Sequence, residues 1–175
     1  MEKKFANLII QLKKGDITKQ PDIDAIVNAA NAELKIGGGV AGAIHRAGDP
    51  ELERETRPLA PISPGEAVIT NAPGLPNKHV IHCLGPVFGR DEPSNRLLAD
   101  CYRNALKCAE DKTLSSVAFP AISTGAFGFP MQGAAKIALE TVKNEVEFLH
   151  TVQLVRFVLF GDKAYNIHSE ELQEL

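Results

Sequence analysis

Two asparagines and a run of glycines are the first residues whose types and spacing suggest chemistry. Asn28 and Asn31 flank two alanines after the apolar run Ala25-Ile26-Val27, and Gly37-Gly38-Gly39-Val40-Ala41-Gly42 follows. An asparagine amide offers both donors and acceptors, as a pair of vicinal hydroxyls requires. Successive glycines let a ligand approach the backbone closely. Where they open a helix, its free N–H groups and dipole favour an anion such as phosphate. The same residues would equally make a flexible turn with capping asparagines.

A second segment reads Pro120-Ala121-Ile122-Ser123-Thr124-Gly125-Ala126-Phe127-Gly128-Phe129. Its small residues expose backbone amides, but it lacks the Gly-Lys-Ser/Thr of a nucleotide-hydrolysing phosphate loop. It is read either as a phosphate cradle without lysine or magnesium or as a plain strand-to-helix turn, and two amide-rich loops of this kind suit a diphosphate. Gly15-Asp16-Ile17-Thr18 offers a carboxylate that either accepts a hydrogen bond from an exocyclic amine or caps a turn. Phe160, before Gly161-Asp162, is either a platform for a purine or a core aromatic.

Positioning these segments requires an alternation of strands and helices. The sequence predicts strands at Phe5–Gln11, Asp24–Asn28, Gly65–Thr70, His79–Leu84, Ser116–Phe119 and Val152–Phe160. The last is almost wholly apolar, as in a strand covered on both faces. Helices are expected from Gly39 to Ala47, from Pro50, from Ser94 (as N-cap) to Lys112, from Met131 to Leu149, and from Asp162 to Leu172. Such alternation gives an α/β fold with helices covering a largely parallel sheet. Ligands of these sheets bind beyond the carboxyl ends of the strands, where all four chemical segments fall.

Composition narrows the function classes. The chain has 175 residues, 44% hydrophobic, and its 19 Lys and Arg against 22 Asp and Glu give a net charge of −3. That length fits one domain over residues 1–175, and the charge balance argues against bulk nucleic-acid or anionic-membrane binding. The charged N-terminus lacks a signal-peptide pattern and no apolar run spans a bilayer, so a cytoplasmic location is expected. Cys83, Cys101 and Cys108 have no metal-ligand spacing and read as buried thiols. No metal site is expected.

Together the segments resemble the macrodomain family, which binds ADP-ribose. The ordered set comprises Gly15-Asp16-Ile17-Thr18, Ala25 to Asn31, Gly37 to Arg46, Leu75-Pro76-Asn77-Lys78-His79-Val80-Ile81-His82 with Gly85-Pro86, and Ile122 to Gly128. The resemblance implies a three-layer α/β/α fold with a mixed, largely parallel central sheet, and no cofactor besides the ligand. It further implies that Asp16 and the Ile17 amide hold adenine, with Phe160 on its face. The amides of Gly39, Val40, Ser123, Thr124, Gly125, Ala126 and Phe127 would cradle the diphosphate. Asn31 would bind the distal ribose, with Asn28 shaping the same wall.

The resemblance carries an activity less directly. Many hydrolytic members have an aspartate after Gly-Gly-Gly-Val, where this chain has Ala41, and many others have a histidine where it has Ile36. The expectation is hydrolysis of ADP-ribose esters, on Asp or Glu side chains or in O-acetyl-ADP-ribose. Asn31, Gly38 and Gly39 would position a substrate-assisted water, and His45 is a minor acid/base candidate. The alternatives are a non-catalytic ADP-ribose-binding module, or processing of ADP-ribose 1″-phosphate. Partners would be ADP-ribose or ADP-ribosylated protein, with ADP-ribosylated nucleic-acid ends less favoured.

Overall fold

A computed structural model describes residues 1–175. Seven strands form one sheet: β1 (Glu2–Phe5), β2 (Leu8–Lys14), β3 (Ala25–Ala29), β4 (Ala67–Asn71), β5 (His79–Cys83), β6 (Ser116–Phe119) and β7 (Leu154–Leu159). Their spatial order is β1-β2-β7-β6-β3-β5-β4. The four inner pairings are parallel, while β1 on β2 and β4 on β5 are antiparallel. The helices are α1 (Gly39–Gly48), α2 (Glu51–Thr56), α3 (Ser94–Asp111), α4 (Met131–Asn144) and α5 (Asp162–Glu174). This is a three-layer α/β/α fold with a mixed sheet.

Alternation along the strands builds two cores. Ala25 and Val27 of β3 face α3, α4 and α5 in a 28-residue cluster that includes Leu98, Tyr102, Ala134, Leu139 and Leu172. Ile26 points the other way and joins Ile44 of α1, Leu52 of α2, Val80 and Val158. Towards β2 and β7 the covering on this second face comes from the β2–β3 connection, through Ile17 and Ile23. No helix is long and apolar enough to cross a membrane.

Several boundaries differ from the sequence expectation. The strand expected over Phe5–Gln11 is instead a hairpin, because Ala6 adopts a φ of 51° and turns the chain between β1 and β2. Gly65, with φ 89°, belongs to the turn before β4. Ser94 lies inside α3; Pro93 holds the cap position, and the Ser94 hydroxyl donates to the Asp91 carbonyl at 2.6 Å. The helix expected to reach Leu149 ends at Asn144, followed by a 3-10 turn over Val146–Phe148. Past the helix end Val146 and Leu149 still pack against the core, whereas Phe148, expected on the buried face, is exposed. Cys108 is only half-buried, unlike Cys83 and Cys101.

Candidate functional site

The carboxyl ends of β2, β3, β6 and β7 open onto one cavity of about 980 Å³. Parallel pairing explains the convergence: all four strands run in the same direction, so the segments following them share one edge. Of the sequence-predicted residues, Asp16, Ile17, Asn31, Gly38, Gly39, Val40, Ser123, Thr124, Gly125, Ala126, Phe127 and Phe160 line this cavity.

One end is built by the turn after β2. The Gly15 amide donates to the Leu159 carbonyl at 3.1 Å, fastening the turn to the end of β7. Asp16 Oδ1 accepts from the Thr18 amide at 2.9 Å and the Thr18 hydroxyl at 2.7 Å. These bonds stabilise the carboxylate and lower its pKa. Asp16 thus caps the turn with one oxygen, leaving Oδ2 without a hydrogen-bond partner in the chain. Phe160 stands beside it 95% exposed, which removes the core-aromatic alternative.

The middle is backbone. Gly38 caps α1 without a side-chain bond, and the first turn has no acidic residue. The Gly42 amide reaches the Gly38 carbonyl at 3.2 Å, leaving those of Gly39, Val40 and Ala41 free of partners within the chain. A side chain at Gly38 or Gly39 would meet only open space, so their backbone faces the cavity directly. Across from it, Ser123 has a φ of 66°. The Phe129 amide closes that loop on the Ser123 carbonyl at 2.9 Å, and Thr124 Oγ1 donates to the Ala121 carbonyl at 2.7 Å. The amides of Ser123, Gly125, Ala126 and Phe127 make no bond within the chain. Two loops therefore present seven unpaired N–H groups, an anion site made without a basic side chain.

At the far end, Asn31 is partly engaged. Its Nδ2 donates to the Lys35 carbonyl at 2.8 Å, and its Oδ1 accepts from the Lys35 amide at 3.0 Å. One N–H and one lone pair remain for a ligand. Gly37 lies close beside it: a Cβ there would be 3.3 Å from Asn31 Nδ2, a tight contact that would shift the amide by a few tenths of an ångström. Asp16 is the only ionisable side chain in the cavity lining.

Two expected contributors lie elsewhere. Asn28 is fully buried on the α1 face of β3, where its Nδ2 donates to His82 Nδ1 at 3.1 Å. It does not reach the cavity, because residues two apart on a strand share a face and Asn28 follows Ile26. His82 donates in turn to Thr70 Oγ1 at 3.0 Å, and burial, with a smaller push from His45, lowers its pKa to about 3. His45 is wholly buried against Asp49 at 3.2 Å and does not line the cavity, so it is no direct acid or base there. Conversely, Met131, Val158, Leu159 and Ala164 line the cavity but were not singled out from sequence. Their positions at the end of β7 and the starts of α4 and α5 were the available signal.

An α/β/α domain with an anion cleft of backbone amides at its strand ends is the class that fold and site define. The family model described as the Macro domain matches residues 27–138. A macro domain-containing protein of Caldanaerobacter subterraneus is 45% identical over 171 residues, 95% of this chain and 97% of that protein. One from Lactiplantibacillus plantarum is 47% identical over 168 residues, with 95% and 97% covered. The solved Oceanobacillus iheyensis macrodomain with ADP superposes with a TM-score of 0.93 at 41% identity, covering 99% of this chain and 95% of that one. The Trypanosoma brucei macrodomain in complex with ADP-ribose gives 0.85 at 36% identity, covering 92% and 68%. The chain belongs to the macro domain family.

Proposed function

We propose that the protein, one macro domain over residues 1–175, binds ADP-ribose and hydrolyses its esters. The observation that carries this reading is the pairing of seven free amides with a lining whose one ionisable group stands at one end. A diphosphate sits between the amides of Gly39 and Val40 and those of Ser123, Gly125, Ala126 and Phe127. The Thr124 amide, expected among them, is instead paired with the Ala121 carbonyl at 3.4 Å. Adenine lies against Phe160 with its amine on Asp16 Oδ2 and the Ile17 amide alongside, and the distal ribose meets Asn31. The ADP-ribose complex of the Trypanosoma brucei relative supports the ligand.

The distal end holds no acid or base, which limits the reaction. A water held by the ligand's phosphate, Asn31 and the Gly38–Gly39 backbone bonds to C1″ as the bond to an Asp or Glu carboxylate breaks. The leaving carboxylate is a stable anion that needs no protonation, and the water's proton passes to the phosphate. An N-glycosidic link to arginine lacks such a leaving group. Deacetylation of O-acetyl-ADP-ribose is the other ester cleavage of this reading. There the held water bonds to the acetyl carbonyl carbon and the acyl C–O bond breaks. The ribose oxygen takes the water's proton, and acetate is released with its proton lost to solvent.

The test pairs calorimetric titration of ADP-ribose with release from acceptors modified on glutamate or on arginine. Binding, with release from glutamate only, is the expected result. Asn31→Ala should abolish release while keeping much of the affinity; turnover in that variant would refute the water-positioning role. The absence of ADP-ribose binding would overturn the reading as a whole. Ala41, in place of a carboxylate, favours a second reading, a binding module without turnover. Binding without release from either acceptor would select it.

A further inference from the structure

Among the apolar residues of β7, Leu154-Val155-Arg156-Phe157-Val158-Leu159, one arginine is 95% buried, at 5% exposure. Burying a guanidinium is costly unless its donors are met. Here Nε donates to Gln11 Oε1 at 2.6 Å, and Nη1 to Gln20 Oε1 at 2.9 Å. Nη1 and Nη2 also grip both oxygens of Asp22, at 2.9 and 2.7 Å. Gln20, itself 2% exposed, passes the contact on: its Nε2 donates to the Asp16 carbonyl at 2.8 Å. The far side of the same connection is pinned by Asn77, whose Nδ2 reaches the carbonyls of Gln20 and Ile23 at 2.7 and 2.8 Å.

These contacts run from the middle of the sheet to the backbone of the residue assigned to the adenine amine, without entering the cavity. On this face of β2 and β7 the covering comes from the β2–β3 connection instead of a helix, so polar contacts there do what helix packing does elsewhere. We propose that Arg156, acting through Gln20, is a positioning residue that selects for the adenine base. It fixes the Gly15–Thr18 turn so that Asp16 Oδ2 faces an exocyclic amine. The inference rests on the ADP-ribose reading above and adds to it the device that sets base specificity.

Lysine at this position keeps the charge but cannot form the fork to Asp22 while also reaching Gln11 and Gln20. Gln20→Glu retains an acceptor, now charged, for Arg156 and replaces the donor to the Asp16 carbonyl with an oxygen that cannot donate. The three variants Gln20→Glu, Arg156→Met and Arg156→Lys are to be titrated with two probes. One is ADP-ribose; the other is its inosine analogue, which carries a carbonyl oxygen in place of the amine.

The parent protein should prefer ADP-ribose at least ~10-fold, the worth of a charge-assisted hydrogen bond. In Gln20→Glu and Arg156→Met that preference should fall to within about twofold, with affinity for the inosine analogue retained; Arg156→Lys should not restore it. Equal weakening of both probes, or an unchanged preference in folded variants, would overturn the positioning role and leave the ADP-ribose reading standing. If Arg156→Met fails to fold, Gln20→Glu decides alone. A parent protein that binds neither probe would refute the ADP-ribose reading itself, whereas one that binds both equally would refute the Asp16 assignment and the proposal with it.

Discussion

Gly85 lies outside the cavity lining yet abuts one of the loops that form it. Gly85 follows β5, and a Cβ there would run into Ser123 Oγ and lie 2.6 Å from Ile122 Cγ2. Ser123 cannot easily withdraw: its φ is 66°, its Oγ is buried without a partner, and its carbonyl holds Phe129. Gly85→Ala is thus an overpacking change, costing about 1–3 kcal/mol, which for a domain of this size lowers Tm by about 2–12 °C. The displaced Ser123 starts the second amide loop, so ADP-ribose affinity should fall along with Tm. Ser123→Gly removes the clashing oxygen and suits the left-handed backbone. Relief of about 1–2 kcal/mol of backbone strain is partly offset by about 0.5–1 kcal/mol of glycine entropy, so this change alone should be neutral to about 1.5 kcal/mol stabilising. Combined, the two substitutions should be more stable than the sum of the singles by about 1 kcal/mol, the Ile122 contact remaining. Thermal and urea unfolding of the four proteins in the cycle measure this. Strict additivity would show that Gly85 is not held small by Ser123.

Two further predictions follow from the same geometry. Phe160→Ala should leave stability within about 0.5 kcal/mol, since the ring is 95% exposed, yet weaken ADP-ribose by about 1–3 kcal/mol of lost stacking. Unchanged affinity in calorimetry would remove Phe160 from the site. His82 titrates near 6.5 when unfolded, but burial lowers it to about 3 in the folded chain. Between those values the unfolded chain binds the extra proton, so stability falls as pH falls, by up to about 1.4 kcal/mol per pH unit. Urea titrations from pH 6 to 4 should show a shallower decline in His82→Gln than in the parent, and equal slopes would refute the contribution.

What the sequence makes legible is decided by how local the cause is. Gly37-Gly38-Gly39 and Ser123 to Phe127 could be recognised because an amide-lined loop is encoded in a few consecutive small residues. Their meeting followed from strand direction, since parallel strands deliver their carboxyl ends to one edge. Asn28 shows where attention to type without face misleads. The period of two puts it with Ile26 beneath α1, so its proximity to Asn31 in sequence carries no proximity in the cavity. The half-turn at Ala6 was invisible for a different reason: alanine carries no signal for a positive φ, and the hairpin is imposed by β1 pairing on β2. Arg156 is the most instructive case. A lone arginine in an apolar strand reads as an anomaly, and its partners Gln20 and Asp22 lie 136 and 134 residues away in the chain. Only the fold brings them together, and it does so beneath the turn that carries Asp16. The anions' amides are therefore written locally, whereas the device that aims the carboxylate at a base is written across the whole sheet. Base selectivity should accordingly be lost through substitutions far from the cavity, while diphosphate binding should be lost mainly through substitutions in or against its own loops.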